Sequence, residues 1–427
     1  MSHRYPVAPA IAALLVGALL LAGCGSSSSA PPASRPTVAQ ASSCASSHPA
    51  TWEGCLVDAQ PGFASVPISE LALPGSHNAG TYNLDPQGYD IAANSTCTLD
   101  TPQNAAVRSV PAPWFQTQDE TITQQLNQGI RYLDMQVAYN GGGSATKGWR
   151  VAQTLLSQFP LYDYLDEVAA WAKAHRSEMI VVDFRNVCYD NDPTDAIAKG
   201  LFSNFTTRSD EGGGTTTLRD VAYSAPAQSS LFASATIDEV IHQGGGGHNV
   251  VVLMPSDVRA ASSLSSVEHV HAVFTAPAGS NGTSTNRTLP MARSLTATAP
   301  TSSTLFSSSN ALLQSAPTTA KPALGSMAGK GLFEAGLTYT FDLAAATPLV
   351  ATFGGLIQPA ASPIGTRSAT LPAWQEGLWG PAVLGTVTRT GILSAWGNKT
   401  TVVLADGVEH EGYIPAVITR NGRAPSK

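Results

Sequence analysis

The candidate chemistry of this chain starts from a histidine and an acid that each stand near the end of a predicted strand. His77 and Asn78 follow an apolar run that begins at Leu71, and Asp134 lies in a second apolar run further along the chain. An imidazole, which titrates near neutral pH, suits general acid–base catalysis when a carboxylate orients it. Because a (β/α) barrel has its active site at the carboxyl ends of its strands, we expect these residues to meet there.

The elements that must position these residues recur in the order that a (β/α) barrel requires. Predicted strands cover residues 70–74, 130–136, 149–154, 179–184, 250–254 and 400–406, and the two that are hardest to locate are placed at 269–274 and 336–341. One predicted helix follows the capping-box pattern Thr117-x-x-Glu120. Two more are predicted at residues 164–175 and 237–241. We predict an α/β fold, an irregular (β/α)8 TIM-type barrel, with a long polar loop or insertion at about 276–330.

Four segments resemble a known family: residues 71–78, 126–134, 161–168 and 177–185. Their order and spacing resemble the X region of phosphatidylinositol-specific phospholipase C and the wider phospholipase C-like phosphodiesterase superfamily. Residues 402–418 are similar to the closing strand and helix of that fold. The resemblance implies a TIM-type barrel that cleaves a phosphodiester, in a divergent bacterial lipoprotein member.

The resemblance also implies that two histidines share the proton transfers. One is the base toward the attacking hydroxyl, and His77 corresponds to it. The second falls at Ala152 or Gln153, and neither residue can donate a proton to a leaving group. Loss of one proton-transfer partner costs a factor of roughly 10²–10⁴ in rate. We expect His410, a few residues beyond the last predicted strand, to replace the missing acid, with His271 as an alternative.

Charge at the phosphate is the second departure from the family pattern. Metal-independent members have an arginine where this chain has Gln136, and an amide cannot supply positive charge. Arg185 corresponds to a basic residue of bacterial members, so we expect Arg185, Asn78 and Gln136 to contact the substrate. Two more cations lie in the predicted loop and strand nearest to position 136: Lys147 and Arg150.

Calcium is the one cofactor that the resemblance leaves open. Calcium-dependent members place an asparagine at the position of Asn78, and the carboxylate that corresponds to Asp134 either orients a histidine or binds the metal. If calcium is used, Asn78 and Asp134 are the expected ligands, and Asp183 or Glu120 would add a further acid.

The N-terminal region has the pattern of an export signal. An apolar run at residues 11–22, too short for a comfortable membrane span, ends on the sequence LAGC at 21–24, which resembles a bacterial lipobox. We expect Cys24 to be lipidated, with an ordinary signal peptide as the alternative. Residues 25–43 are rich in Ser, Ala and Pro and are predicted to be a flexible tether. The folded part, 44–427, is then exported and anchored to the outer side of the cytoplasmic membrane, or secreted.

The remaining cysteines predict disulfides. Cys44, Cys55, Cys97 and Cys188 are an even set in an exported protein, and they allow three connectivities. Pairing of Cys44 with Cys55 is the local choice and leaves Cys97 with Cys188. Their spacing does not match a zinc site.

Composition limits the partners. With 43% hydrophobic and 12% charged residues, the chain is globular. Its formal net charge of −7 disfavours nucleic acid and provides no polybasic patch for anionic lipid.

Three functions compete at this stage. The first is a membrane-anchored phosphoric diester hydrolase that acts on a phospholipid or glycerophosphodiester-like substrate. The second is a catalytically degenerate barrel that binds phosphate or lipid head groups. The third is an envelope scaffold. A second proton donor near His77 would favour the enzyme, and the substitutions at positions 136 and 152 favour the binding protein.

Overall fold

The fold is derived from a computed structural model, which describes residues 32–86, 88, 116–139, 148–153, 155–188, 218–223, 235–242, 246–255, 270–276, 288–296, 332–337, 402–405, 407–408 and 413–422. Within these ranges, none of the helices has the length and apolar character needed to span a membrane.

In the described part of the chain, ten strands form one sheet: β1 (Leu73–Ser76), β2 (Tyr132–Tyr139), β3 (Trp149–Gln153), β4 (Leu155–Pro160), β5 (Ile180–Cys188), β6 (Val250–Pro255), β7 (Val270–Ala276), β8 (Thr288–Thr296), β9 (Leu332–Leu337) and β10 (Val402–Ala405). All except β3 and β4 pair in parallel, in the order β1-β10-β9-β8-β7-β6-β5-β2. β2 pairs in turn with β1, through Gly75 with Tyr132 and Ser76 with Leu133. The eight parallel strands therefore form the predicted TIM-type barrel.

The described helices are α1 (Val38–Ser47), α2 (Trp52–Ala59), α3 (Ile122–Gln128), α4 (Leu161–Ala174), α5 (Leu218–Val221), α6 (Ile237–His242) and α7 (Tyr413–Thr419). Helix α3 begins later than its predicted cap. The capping box is formed by Thr121 and Gln124, and not by Thr117 and Glu120. The prediction was wrong because the Thr117 hydroxyl is buried and bonded to Thr81.

The segment predicted as the third barrel strand has a different role. β3 runs antiparallel to β2, with Val151 opposite Val137 and Trp149 opposite Tyr139, and β4 is antiparallel to β3. The connection from β2 to β3 is too short for the crossover that a parallel neighbour requires. The next barrel strand is therefore β5, and the β3–β4 hairpin extends the sheet beside the upper end of β2.

The predicted insertion at 276–330 also needs correction. β8 lies inside it and pairs in parallel with both β7 and β9. Pro290 and Arg293 interrupt its apolar residues, and a proline inside a run is evidence against a central strand, so the sequence does not mark β8.

The predicted tether ends earlier than residue 43. Thr37 caps α1, accepting from the Gln40 amide at 3.2 Å, and Ala41 is fully buried. Serine and alanine make up most of this helix, and serine has only a moderate helix propensity, so composition alone did not reveal the helix. Cys44 and Cys55 form a disulfide between α1 and α2, with their Cα atoms 5.7 Å apart.

A buried charge cluster connects this N-terminal cover to the start of β2. The Arg131 guanidinium lies 2.6 Å from the Glu178 carboxylate and donates to the Ala50 carbonyl at 2.7 Å. Glu178 also accepts from the backbone amides of Glu53 and Gly54 at the start of α2. The cluster therefore joins α2 to the end of the barrel opposite to His77.

The Glu53 carboxyl makes this junction sensitive to pH. Complete burial, together with the negative charge of Glu178, raises the pKa of Glu53 from 4.5 to about 8, although Arg131 and the Met179 amide oppose the shift. Between about pH 4.5 and 8 the folded protein therefore holds a proton that the unfolded chain releases, so stability falls as pH rises through this window.

We predict that Glu53→Gln removes most of this fall, because glutamine stays neutral. Urea unfolding at pH 5 and pH 8 should show that the wild type loses a few kcal/mol relative to the variant. Glu70→Gln, at a partly exposed carboxylate of the same region, is the control. If the free energies of unfolding of wild type and variant differ by the same amount at both pH values, the prediction is wrong.

Candidate active site

The carboxyl end of β1 positions His77. The His77 amide donates to the Ala405 carbonyl at 3.0 Å, which continues the β1–β10 ladder by one residue. On the neighbouring strand β2, Asp134 is paired in register with Asp183 of β5. The histidine and the acid therefore lie at the same end of the barrel, as the sequence analysis expected.

Four of the predicted site residues contact one another there. His77 Nε2 lies 4.0 Å from Asp134 Oδ2 and 3.1 Å from Asn78 Nδ2, and Gln136 Nε2 donates to Asn78 Oδ1 at 2.8 Å. Asn78 and Asp134 are fully buried, whereas His77 is 6% and Gln136 7% exposed. The small remaining exposure of the histidine and the glutamine is the side from which a ligand can reach the cluster.

The backbone of Asn78 determines this arrangement. Its φ of 47° lies in the left-handed region, which asparagine tolerates better than most residues with a Cβ atom. The Asn78 carbonyl accepts from the Thr81 amide at 3.0 Å and from the Thr81 hydroxyl at 2.9 Å, while the Asn78 amide points at Asp134 Oδ2, 3.4 Å away. This turn brings the chain from β1 against β2.

A layer of neutral polar side chains supports the turn. Thr117 Oγ1 and Gln118 Nε2 donate to the His77 carbonyl at 3.0 and 2.8 Å, and Gln118 also donates to Ala405 at 3.0 Å. The Thr81 and Thr117 hydroxyls are 2.7 Å apart. Sequence reasoning missed Thr81, Thr117 and Gln118, because their partners are distant in the chain and no local pattern marks them.

Asp183 and Glu120, the two further acids expected for a calcium site, have other partners. Tyr132, also missed in the sequence, donates its hydroxyl to Asp183 Oδ2 at 2.7 Å, and both residues are buried. Glu120 accepts from Gln128 Nε2 at 2.6 Å, and partial burial raises the pKa of Glu120.

Calcium takes six to eight oxygen ligands, and of the two expected here Asn78 Oδ1 accepts from Gln136 while Asp134 is fully buried. Among the residues that the structure describes, no three His, Cys, Asp or Glu side chains form a group able to hold a metal. The steps proposed below are written for protein side chains.

Other predicted residues stand apart from this cluster or beyond the description. Ala152 is buried in β3, next to Gln153, and Arg150 donates to the Gln158 carbonyl at 2.7 Å within the β3–β4 hairpin. The following predicted residues lie outside the described ranges: Cys24, Cys97, Lys147 and His410. For Cys188, Arg185 and His271, only the backbone is described.

The backbone places Arg185 at an irregularity in the barrel. Met135 pairs with Phe184 and Gln136 with Asn186, so Arg185 is the extra residue of a β-bulge between β2 and β5. Bulges are frequent next to active sites, where they redirect a side chain. Arg185 is thus one strand away from Gln136 and at the same height.

Comparisons with known proteins agree with this architecture. A family model described as PI-PLC X 1 matches residues 93–276, a range that includes Asp134 and begins after His77. Mouse PI-PLC X domain-containing protein 1 is 31% identical over 128 residues, which cover 30% of this chain and 37% of that protein. The variant-surface-glycoprotein phospholipase C of Trypanosoma cruzi is 30% identical over 167 residues, covering 36% of this chain and 40% of that protein. The chain therefore spans well under half the length of these relatives.

A solved structure extends the likeness to the whole barrel. The phosphatidylinositol-specific phospholipase C of Staphylococcus aureus, with incorporated pentafluoro-phenylalanine, superimposes with a TM-score of 0.51 at 16% identity. The superposition covers 89% of this chain and 99% of that one. At this identity the likeness shows the fold alone.

The left-handed turn leads to a prediction on stability. Asn78→Gly and Asn78→Ala both remove the amide, but only alanine keeps a Cβ atom at a φ of 47°. We expect the glycine variant to be more stable by about 1 kcal/mol in urea unfolding. Equal stability of the two variants would mean that the turn relaxes and does not constrain His77.

Proposed function

Because this chain belongs to the phospholipase C-like phosphodiesterase superfamily, we propose that it is a phosphoric diester hydrolase of the phosphatidylinositol-specific phospholipase C type. The proposal rests on one observation: His77 Nε2 lies within 4.0 Å of Asp134 Oδ2 at the carboxyl end of the barrel. A buried imidazole next to a buried carboxylate can accept a proton and remain stabilised once charged.

The reaction starts with a hydroxyl of the substrate head group. His77 takes the hydroxyl proton while the hydroxyl oxygen attacks phosphorus, and the bond from phosphorus to the leaving oxygen breaks. The leaving oxygen takes a proton from a second donor, for which we propose His410. Asp134 faces the imidazolium that forms and offsets its charge.

Phosphate binding at this site needs a cation. Asp134, beside the histidine, and Asp183, its register partner on β5, are both buried, and their negative charges disfavour an anionic ligand. Gln136 cannot offset them, since an amide is neutral. We assign this role to Arg185, whose place in the bulge beside Gln136 supports the assignment.

For the substrate we propose a phospholipid or a glycerophosphodiester-like molecule. Two of the similar proteins are named as phospholipases C, one of them specific for phosphatidylinositol. We further propose that the protein is exported and lipidated at Cys24, on the strength of the LAGC sequence at 21–24.

A phosphate-binding barrel without turnover is the second candidate. It is favoured by the buried Ala152 at the position expected for the second histidine, since a methyl group cannot protonate a leaving oxygen. In that case His77, Asn78 and Arg185 would bind the phosphate and release it unchanged.

Hydrolysis assays separate these candidates. We expect the full chain to hydrolyse phosphatidylinositol in vesicles or a member of a soluble glycerophosphodiester panel, with calcium or with chelator. His77→Ala should lower the rate by at least about 10². The matched control is His242→Ala, at an exposed histidine of α6 that pairs with Asp238 at 2.7 Å. Hydrolysis that survives His77→Ala would refute the assignment, and His77-dependent binding of inorganic phosphate without hydrolysis would establish the second candidate.

Lipidation is tested separately. We expect Cys24→Ser to shift the protein from the membrane fraction to the soluble fraction of the bacterial envelope, because the cysteine sulfur is the atom that carries the lipid. Mass spectrometry of the membrane-bound wild type should find acyl chains on Cys24. An unmodified wild type in the soluble fraction would leave the signal-peptide alternative.

A further inference from the structure

We propose that Gln136 is a positioning residue that selects the tautomer of His77. Through the amide of Asn78 it holds the neutral imidazole with the proton on Nδ1, so that Nε2 is the atom that receives the substrate proton. The tautomer is argued from hydrogen-bond geometry alone, whereas the role of Nε2 as the base rests on the proposed function.

The argument begins with the direction of two hydrogen bonds. Gln136 Nε2 can only donate, and its partner at 2.8 Å is Asn78 Oδ1. The Asn78 amide therefore presents its NH2 group on the other side, 3.1 Å from His77 Nε2. Because this NH2 group also only donates, Nε2 must accept, and a neutral ring then has its hydrogen on Nδ1.

Burial and backbone geometry keep the amide in this orientation. With Gln136 Nε2 bonded to Asn78 Oδ1, a flip of the Asn78 amide alone would turn its NH2 group toward Gln136 Nε2 and its oxygen toward the lone pair of His77 Nε2. Both contacts would then be repulsive, and water has little access because Asn78 is fully buried. Only a joint flip of both amides reverses the chain of hydrogen bonds, and that state is the Nε2–H tautomer, which the NMR experiment below distinguishes. The hydrogen bonds between Asn78 and Thr81 fix the backbone from which the amide projects.

The same nitrogen has a second partner for the charged state. His77 Nε2 is 4.0 Å from Asp134 Oδ2, a distance that a small ring rotation can close. The substrate hydroxyl would replace the Asn78 NH2 group as the donor to Nε2. After the proton moves from the hydroxyl oxygen to Nε2, the new N–H bond has Asp134 as its acceptor.

This arrangement explains why position 136 holds an amide and not the arginine of metal-independent family members. The amide orients Asn78, whereas an arginine would bind the phosphate. One hydrogen of the Gln136 Nε2 group is bonded to Asn78 Oδ1, and because the amide is neutral the positive charge for the phosphate must come from elsewhere, as proposed for Arg185. Gln136 then acts on the base and not on the phosphate.

The test is the tautomer of His77 in the neutral ring, read from ¹⁵N NMR of the full chain labelled at histidine. A His77→Gln spectrum identifies the His77 signals. We expect the Nδ1–H tautomer in the wild type. Gln136→Glu supplies an acceptor, turns the Asn78 amide over, and should move the proton to Nε2. Gln136→Lys again supplies only donors and should retain the wild-type tautomer. Thermal unfolding of each variant establishes that it is folded.

Kinetics provide a second readout if the protein turns over. Gln136→Glu should lower kcat about tenfold or more with little change in KM, because the substrate meets a protonated Nε2. An Nε2–H tautomer in the wild type, or the same tautomer in Gln136→Glu, would overturn the proposal even in an active enzyme. A tautomer that follows the series in a protein without hydrolytic activity would uphold it and refute the proposed function instead.

Discussion

The left-handed turn at Asn78 is the constraint on which the site depends. β1 ends at Ser76, and within two residues the chain must present an imidazole to β2 and also bond its own backbone to Asp134 and Thr81. Only a residue that tolerates a φ of 47° and has a short amide side chain meets all these demands together. The layer formed by Thr81, Thr117 and Gln118 donates hydrogen bonds to the carbonyls of His77 and Asn78 at this turn.

β2 links the two ends of the barrel, and from Tyr132 to Gln136 every second side chain along it is polar. Tyr132, Asp134 and Gln136 alternate along it, and each bonds a polar partner of the site. The intervening residues, Leu133 and Met135, are fully buried in the apolar core. Just before the strand, Arg131 is held by Glu178 in the buried cluster beneath α2. The N-terminal cover and the candidate site are therefore attached to one strand.

The sequence predicts those features of the fold that depend on residues close together in the chain. The apolar runs of β5, β6 and β10 are evident within a few neighbouring positions, whereas His77, Asn78, Asp134 and Gln136 are assigned through the family resemblance. The expected barrel strand at 149–154 and the expected insertion at 276–330 differ from β3 and β8, because strand direction and pairing depend on residues far away in the chain. The capping box expected at Thr117 fails for the same reason, since its partner Thr81 lies across a long connection. The pairing of Cys97 with Cys188 and the role of His410 stay predictions.

We propose that His77 serves cleavage of the bond between phosphorus and the glycerol oxygen, which releases the phosphate together with the head group. ³¹P NMR of phosphatidylinositol vesicles, and in parallel of the soluble glycerophosphodiester panel, follows the phosphorus itself when the full chain is added. We expect the phosphorus to leave the vesicle lipid, or a soluble diester of the panel to be cleaved, at a rate that falls in His77→Ala. Phosphorus that stays in the lipid as phosphatidate, or spectra of both the vesicles and the panel that the protein leaves unchanged, would refute this cleavage.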